Sequence, residues 1–173
     1  IHKRSKFLIK IINEIKKSVP ESFIVGVRIS PEINDMGIFL NDSLELAKIL
    51  TKIGIDFIHL SCWDCFKISD EYSKDKKTIT EWFTHTISNL PTIISTGGIW
   101  SSKDATDVMM QGADLIGVGR VAIPYPDWSL NLKDDNYNPP RMPFTSTQLT
   151  KAGLSDVFIA YMKNWKGFVE DEK

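Results

Sequence analysis

Four times within its first 118 residues the chain passes from a stretch with helical apolar spacing to a short, largely apolar run. That alternation constrains the fold more than any other feature, because successive helix and strand signals imply crossover connections and hence a parallel α/β sheet. Phe7, Leu8, Ile11, Ile12, Ile15 and Val19 recur at helical spacing, Lys10, Asn13, Glu14, Lys16 and Lys17 fill the other face, and Pro20 closes the segment. Phe23 to Ser30, apolar and β-branched, predicts a strand buried on both faces. A second helix is predicted from Asp42, where Asp-Ser-Leu-Glu offers a capping box closing on Glu45, to Gly54, and "IDFIHLS" follows as the second strand. Thr78 and Glu81 predict the cap of a third helix carrying Ile79, Phe83, Ile87 and Leu90, before the strand "PTIIST". Ser101 opposite Asp104 opens a fourth helix, Gly112 ends it, and "ADLIGVG" is the fourth strand.

The expected strands are therefore 23–29, 55–60, 92–96 and 114–118, adjacent and parallel in that order, with helices on the outer side. "GIDFI" at Gly54 and "GADLI" at Gly112 form a weak internal repeat, a helix stop followed by a strand that opens on small or acidic residues. Four such units are half of a (β/α)8 barrel, which usually takes about 250 residues. Residues 1–130 are read as this half-barrel. Residues 131–173 are read as a proline- and asparagine-rich loop followed by one or two short helices packed outside it.

Composition removes several classes of function. The 21 basic and 22 acidic residues are interspersed and leave a formal charge of −1, so no basic stripe points to nucleic acid or an anionic membrane. Apolar runs stop far short of the roughly 18 residues that span a bilayer, which predicts a cytoplasmic protein acting on a small molecule. Two cysteines are too few for a disulfide framework. Cys62-Trp63-Asp64-Cys65 has the spacing of a redox pair or half a zinc site, but no second pair completes a zinc site and the motif does not open a helix. Loop cysteines bordering a pocket are the favoured reading, and no metal is expected. Ser69 to Lys77 reads as a solvated loop.

Two glycine stops follow adjacent strands, Gly97-Gly98 after the third and Gly117-Val118-Gly119-Arg120 after the fourth. In such barrels the loops after the last two strands commonly bind phosphate, where glycine lets an anion approach bare backbone and arginine adds forked donors. Tight turns alone are the alternative. Arg28 interrupts an apolar strand, and alternation places it with Ile24, Gly26 and Ser30 on one face, with Val25, Val27 and Ile29 on the other. Arg28 should project into the barrel mouth; a structural ion pair is the alternative.

"IHKRSKFLIKIINEIKKSV", "VGVRISPE", "IDFIHLS", "PTIISTGGI" and "ADLIGVGRVAIPYPDW" resemble, in order, the C-terminal half of the Old Yellow Enzyme family of FMN-dependent NAD(P)H:flavin oxidoreductases. The resemblance implies strands five to eight of a TIM barrel. It implies that Gly97, Gly98, Gly117, Gly119 and Arg120 hold the FMN phosphate, that Arg28 lies near the flavin N1–C2 carbonyl edge, and that NAD(P)H is the reductant. It places the carbonyl-binding His/Asn or His/His pair and the proton-donating Tyr in an N-terminal half-barrel, which becomes the expected partner of a chain that opens on Ile1 like a truncation or split gene. His59 and His85 are read as structural, and Tyr125 stands where the family usually has a smaller polar residue. The competing readings are another phosphate-binding barrel enzyme, an isomerase or lyase, and a non-catalytic half-barrel remnant whose free strand edges drive homo-oligomerisation.

Overall fold

Buried apolar side chains at strand spacing build the sheet, and positive-φ glycines, Gly54 and Gly112, stand just before two of its strands. In chain order the elements are α1 (His2–Ser18), β1 (Gly26–Ile29), α2 (Leu40–Ile53), β2 (Phe57–Ser61), α3 (Ile79–Thr86), β3 (Thr92–Thr96), α4 (Ser102–Met110) and β4 (Leu115–Gly117). The strands form one sheet in the order β1-β2-β3-β4, and every neighbouring pair is parallel, with Arg28 level with His59, His59 with Ile94, and Thr96 with Gly117. This computed structural model describes residues 1–170. They divide into two compact units, Ile1–Gly98 with Thr106–Gly117, and Ile99–Ala105 with the chain from Val118 onward.

The first unit has its core on one side of the sheet. Val25, Val27, Ile58, Leu60 and Ile93 point there and pack with Ile12, Leu40, Leu44, Ala47, Leu50, Ile79 and Phe83 from α1, α2 and α3. Among the described residues nothing comparable covers the other side of the sheet, where Ile24 is 69% and Leu115 53% exposed. The strand from Phe23 is therefore not buried on both faces as expected. Its alternation is that of a half-covered sheet, and pairing begins only at Gly26. Helix α1 uses less of its apolar stripe than predicted. Ile12 is buried and Leu8 packs on the core, whereas Phe7, Ile11 and Ile15 lie on an exposed flank.

The internal repeat corresponds to one repeated device. Gly54 and Gly112 both adopt positive φ, 74° and 91°, and end α2 and α4. Two residues on, the Asp56 carboxylate accepts from the Val25 amide at 2.7 Å, and the Asp114 carboxylate from the Ile93 amide at 2.8 Å. The Asp56 and Asp114 amides donate back to the carbonyls of Val25 and Ile93. Each aspartate thus closes the start of the preceding strand with a charge-assisted bond.

Two of the three predicted helix caps form: the Ser101 amide donates to the Asp104 carboxylate at 2.9 Å and the Asp104 amide to the Ser101 hydroxyl at 3.1 Å. Thr78 and Glu81 form the predicted capping box on α3. The box predicted at Asp42 and Glu45 does not form: α2 begins at the fully buried Leu40, Asp42 pairs with Arg4, and Glu45 pairs with Lys48 at 2.6 Å. The predicted solvated loop is only partly so. Ser69 is buried, because the Glu32 carboxylate accepts from the Ser69 hydroxyl at 2.8 Å and from the amides of Asp70 and Glu71 at 2.9 and 3.1 Å. Tyr72 packs on Trp82 with ring centroids 4.7 Å apart, while residues 73–76 are exposed.

In the second unit the short helix α5 (Trp128–Asn131) precedes β5 (Phe144–Thr145), α6 (Ser146–Lys151), α7 (Asp156–Met162) and β6 (Val169–Glu170), and β5 pairs with β6 in parallel. Two short helices, α6 and α7, lie in the stretch read as one or two; the two-residue strands were not anticipated. Trp100 is the centre of this unit. Its indole N–H donates to the Pro139 carbonyl at 2.7 Å, its own carbonyl accepts from the Trp128 indole at 2.6 Å, and its ring lies parallel to Phe144. Tyr125 packs edge-on against Trp100 and Phe144 and donates its hydroxyl to the Pro140 carbonyl at 3.0 Å, which accounts for an aromatic at that position.

Candidate functional site

A row of polar side chains crosses the open face of the sheet near the C-terminal ends of its strands. Arg28 on β1 stands on this face, exposed, as alternation required. Its register partner is His59, yet its guanidinium donates to the hydroxyl of Ser61, two residues further along β2. His59 repeats the step. It is level with Ile94, yet its Nε2 lies 2.6 Å from Oγ1 of Thr96, two residues further along β3. Each side chain leans toward the strands' C-terminal edge, as side chains in strands commonly do. A Cβ at Gly117, level with Thr96, would fall on the Thr96 hydroxyl, so the missing side chain there gives the His59–Thr96 pair its room.

Burial and the charge of Arg28 together set the electrostatics of this row. Partial burial, reinforced by the neighbouring guanidinium, pushes the His59 pKa below its ordinary value and favours the neutral imidazole. His59 is therefore one half of a polar pair on the open face. Its signal in the sequence was the run Phe57, His59, Ser61, which shares a face as Arg28 does. His85 lies exposed on α3.

The Gly97-Gly98 turn needs glycine for its backbone. Gly97 has φ 139° and Gly98 φ 72°, and a Cβ on Gly97 would sit 2.5 Å from the Cys62 carbonyl oxygen. The 62–65 loop explains the close approach: the Cys62 amide donates to the Thr96 carbonyl, and both the amide and the thiol of Cys65 donate to the Gly97 carbonyl at 3.1 and 2.8 Å. Burial, with Asp64 and Glu32 nearby, pushes the Cys62 thiol up to about 12, so it is a poor nucleophile at neutral pH. Among the described residues no group of three or more His, Cys, Asp or Glu side chains is placed to hold a metal. The cysteines brace the glycine turn.

In the second unit, Gly119 precedes a single helical turn, Arg120–Ala122, and no heavy atom of the described residues outside its chain neighbours lies within 4 Å of the position a Cβ there would take. Arg120 is exposed. A depression on the open face of the first unit is lined by Ile24, Asp56, Phe57, Thr92, Ile94 and Leu115, toward the strands' N-terminal ends. It borders the polar row, since Ile94 is level with His59, and its lining is mostly apolar.

With this geometry in view, the sequence model of the NADH:flavin oxidoreductase / NADH oxidase family matches residues 1–138. The chain belongs to this family. It is 26% identical over 172 residues to the probable NADH-dependent flavin oxidoreductase YqiG of Bacillus subtilis (strain 168), covering 96% of this chain and 46% of that protein. It is 32% identical over 117 residues to the NADH:fumarate oxidoreductase of Klebsiella pneumoniae (strain 342), covering 65% of this chain and 12% of that one. Among solved structures, morphinone reductase superposes with a TM-score of 0.56 at 18% identity, over 84% of this chain and 38% of the other. That likeness establishes the fold: this chain of the flavin oxidoreductase family has the architecture of part of a TIM barrel. It spans less than half the length of these relatives. Family membership sets aside the isomerase or lyase alternative. Among the described residues no helix is long and apolar enough to cross a membrane.

Proposed function

We propose that this chain supplies the FMN-binding portion of an Old Yellow Enzyme-like oxidoreductase, with Arg28, Gly97, Gly98, Gly117, Gly119 and Arg120 as cofactor ligands. When bound, FMN supplies hydride chemistry between NAD(P)H and an acceptor alkene activated by a carbonyl or carboxylate, the class to which fumarate belongs. The observation that carries the reading is Arg28: an exposed arginine on the open sheet face of a chain matched to a flavin family, held by a neutral hydroxyl rather than neutralised by a carboxylate. Its charge remains available to an anionic ligand. Gly97 and Gly98 offer a turn of positive φ, and Gly119 offers bare backbone beside the permanent charge of Arg120. The chain's own residues bind and orient; the family's carbonyl-binding pair and proton donor are assigned to the N-terminal half-barrel.

FMN titration into the chain, completed with the N-terminal half of a related enzyme, tests this. Arg120→Ala should weaken binding by about 1.5–3 kcal/mol, the scale of charge-assisted hydrogen bonds. Unchanged affinity would assign the Gly117–Arg120 segment to turn geometry alone.

A further inference from the structure

We propose that Ser61 is the positioning residue for Arg28: its hydroxyl takes the guanidinium and aims it toward the C-terminal edge of the sheet, while Thr96 draws the His59 imidazole across to β3, toward the same edge. The flavin role of Arg28 rests on the proposed function, but the positioning stands on the geometry alone. Arginine has a long, flexible stem, and register alone would leave its head beside His59. Two parallel diagonal bonds, Arg28 to Ser61 and His59 to Thr96, resolve that competition by shifting each head group two residues toward the same edge. Gly117 completes the device, since any side chain there would displace the Thr96 hydroxyl and release His59 toward Arg28. A hydroxyl suits the task better than a carboxylate. It accepts from the guanidinium without cancelling its charge, so the arginine is both fixed in direction and still cationic.

The test uses the chain itself and needs no cofactor. Side-chain NMR reads rotation of the Arg28 guanidinium and the titration of His59 in the parent, Ser61→Ala, Ser61→Thr and Arg28→Gln. In Ser61→Ala the guanidinium should rotate several-fold faster and His59 should titrate at lower pH than in the parent, the opposite of Arg28→Gln, as the charge falls back beside the imidazole. Ser61→Thr, which keeps the hydroxyl, should restore both. Thermal unfolding that is unaltered in Ser61→Ala would separate the effect from loss of fold. Parent-like guanidinium rotation and His59 titration in Ser61→Ala would overturn the proposal. A separate arm measures the midpoint potential of FMN in the protein completed with an N-terminal half. A downward shift in Ser61→Ala, in the direction of Arg28→Gln, supports the flavin role, whereas altered NMR with an unaltered potential overturns the flavin role and leaves the positioning intact.

Discussion

Glycine at position 97 is constrained by this chain's own atoms, and glycine at 119 is not. Gly97 combines a φ of 139° with a Cβ position 2.5 Å from a carbonyl oxygen, so Gly97→Ala should destabilise the protein by about 1–3 kcal/mol, measured by urea unfolding. Gly119→Ala meets open space and should leave stability within about 0.5 kcal/mol. If FMN approaches the backbone there, the same substitution should lower FMN affinity, separating a structural glycine from a binding one. His59 gives a prediction in pH. Its pKa in the folded chain lies below the ordinary 6.5, so the unfolded chain binds the proton more readily. Its effect is absent above that ordinary value, and stability should fall as pH drops below it. Replacing His59 with Gln should flatten this part of the stability curve; an unchanged slope in urea melts between pH 5 and 7 would refute the assignment.

At the scale of elements, the aspartates that follow Gly54 and Gly112 tie strand starts together. Asp56→Ala and Asp114→Ala should each cost about 1–2 kcal/mol, because each strands an amide of the preceding chain segment, while Asp→Asn, which keeps an acceptor, should cost less. Hydrogen exchange at Val25 and Ile93 reports the loss directly. The same residues show what was legible in the sequence. The repeat "GIDFI" and "GADLI" was visible, but the use of its aspartates depends on the neighbouring strand, 31 residues away for Asp56 and 21 for Asp114. Strand β3 lies at the predicted residues, whereas β1 begins three residues later than predicted, its ladder with β2 starting only at Gly26. The cap at Thr78 was readable, being closed within four residues; the one at Asp42 failed because α2 starts two residues earlier, at Leu40, which puts Asp42 inside the first turn. Alternation alone placed Arg28 on its face. Ser61 and Thr96 as the partners of Arg28 and His59 follow from register between strands, which no local pattern encodes.

For the molecule as a whole, the open face of the sheet decides what the 173-residue chain does by itself. Strands β1 and β4 are its two edges, and Ile24 and Leu115 present apolar surface between them. In a closed barrel both edges are paired and that face is interior. Alone, the chain should self-associate, with a sedimentation profile that shifts with concentration, and Leu115→Lys, which places a charge on the open face, should reduce that association without loss of helical signal. The same geometry limits catalysis. On the proposed assignment Arg28 and the glycine turns would supply only part of the flavin's ligands, with the carbonyl-binding pair and proton donor in the N-terminal half-barrel, so the chain mixed with FMN, NADPH and cyclohexenone should show no steady oxidation of NADPH. Adding the N-terminal half of a related enzyme should restore yellow colour and NAD(P)H oxidation together, since closing the sheet supplies the second side of the flavin site and the reacting groups in one step. Steady turnover by the chain alone would place the catalytic groups within these residues instead, and colour without turnover on complementation would show that the sheet closes while the acceptor site does not form.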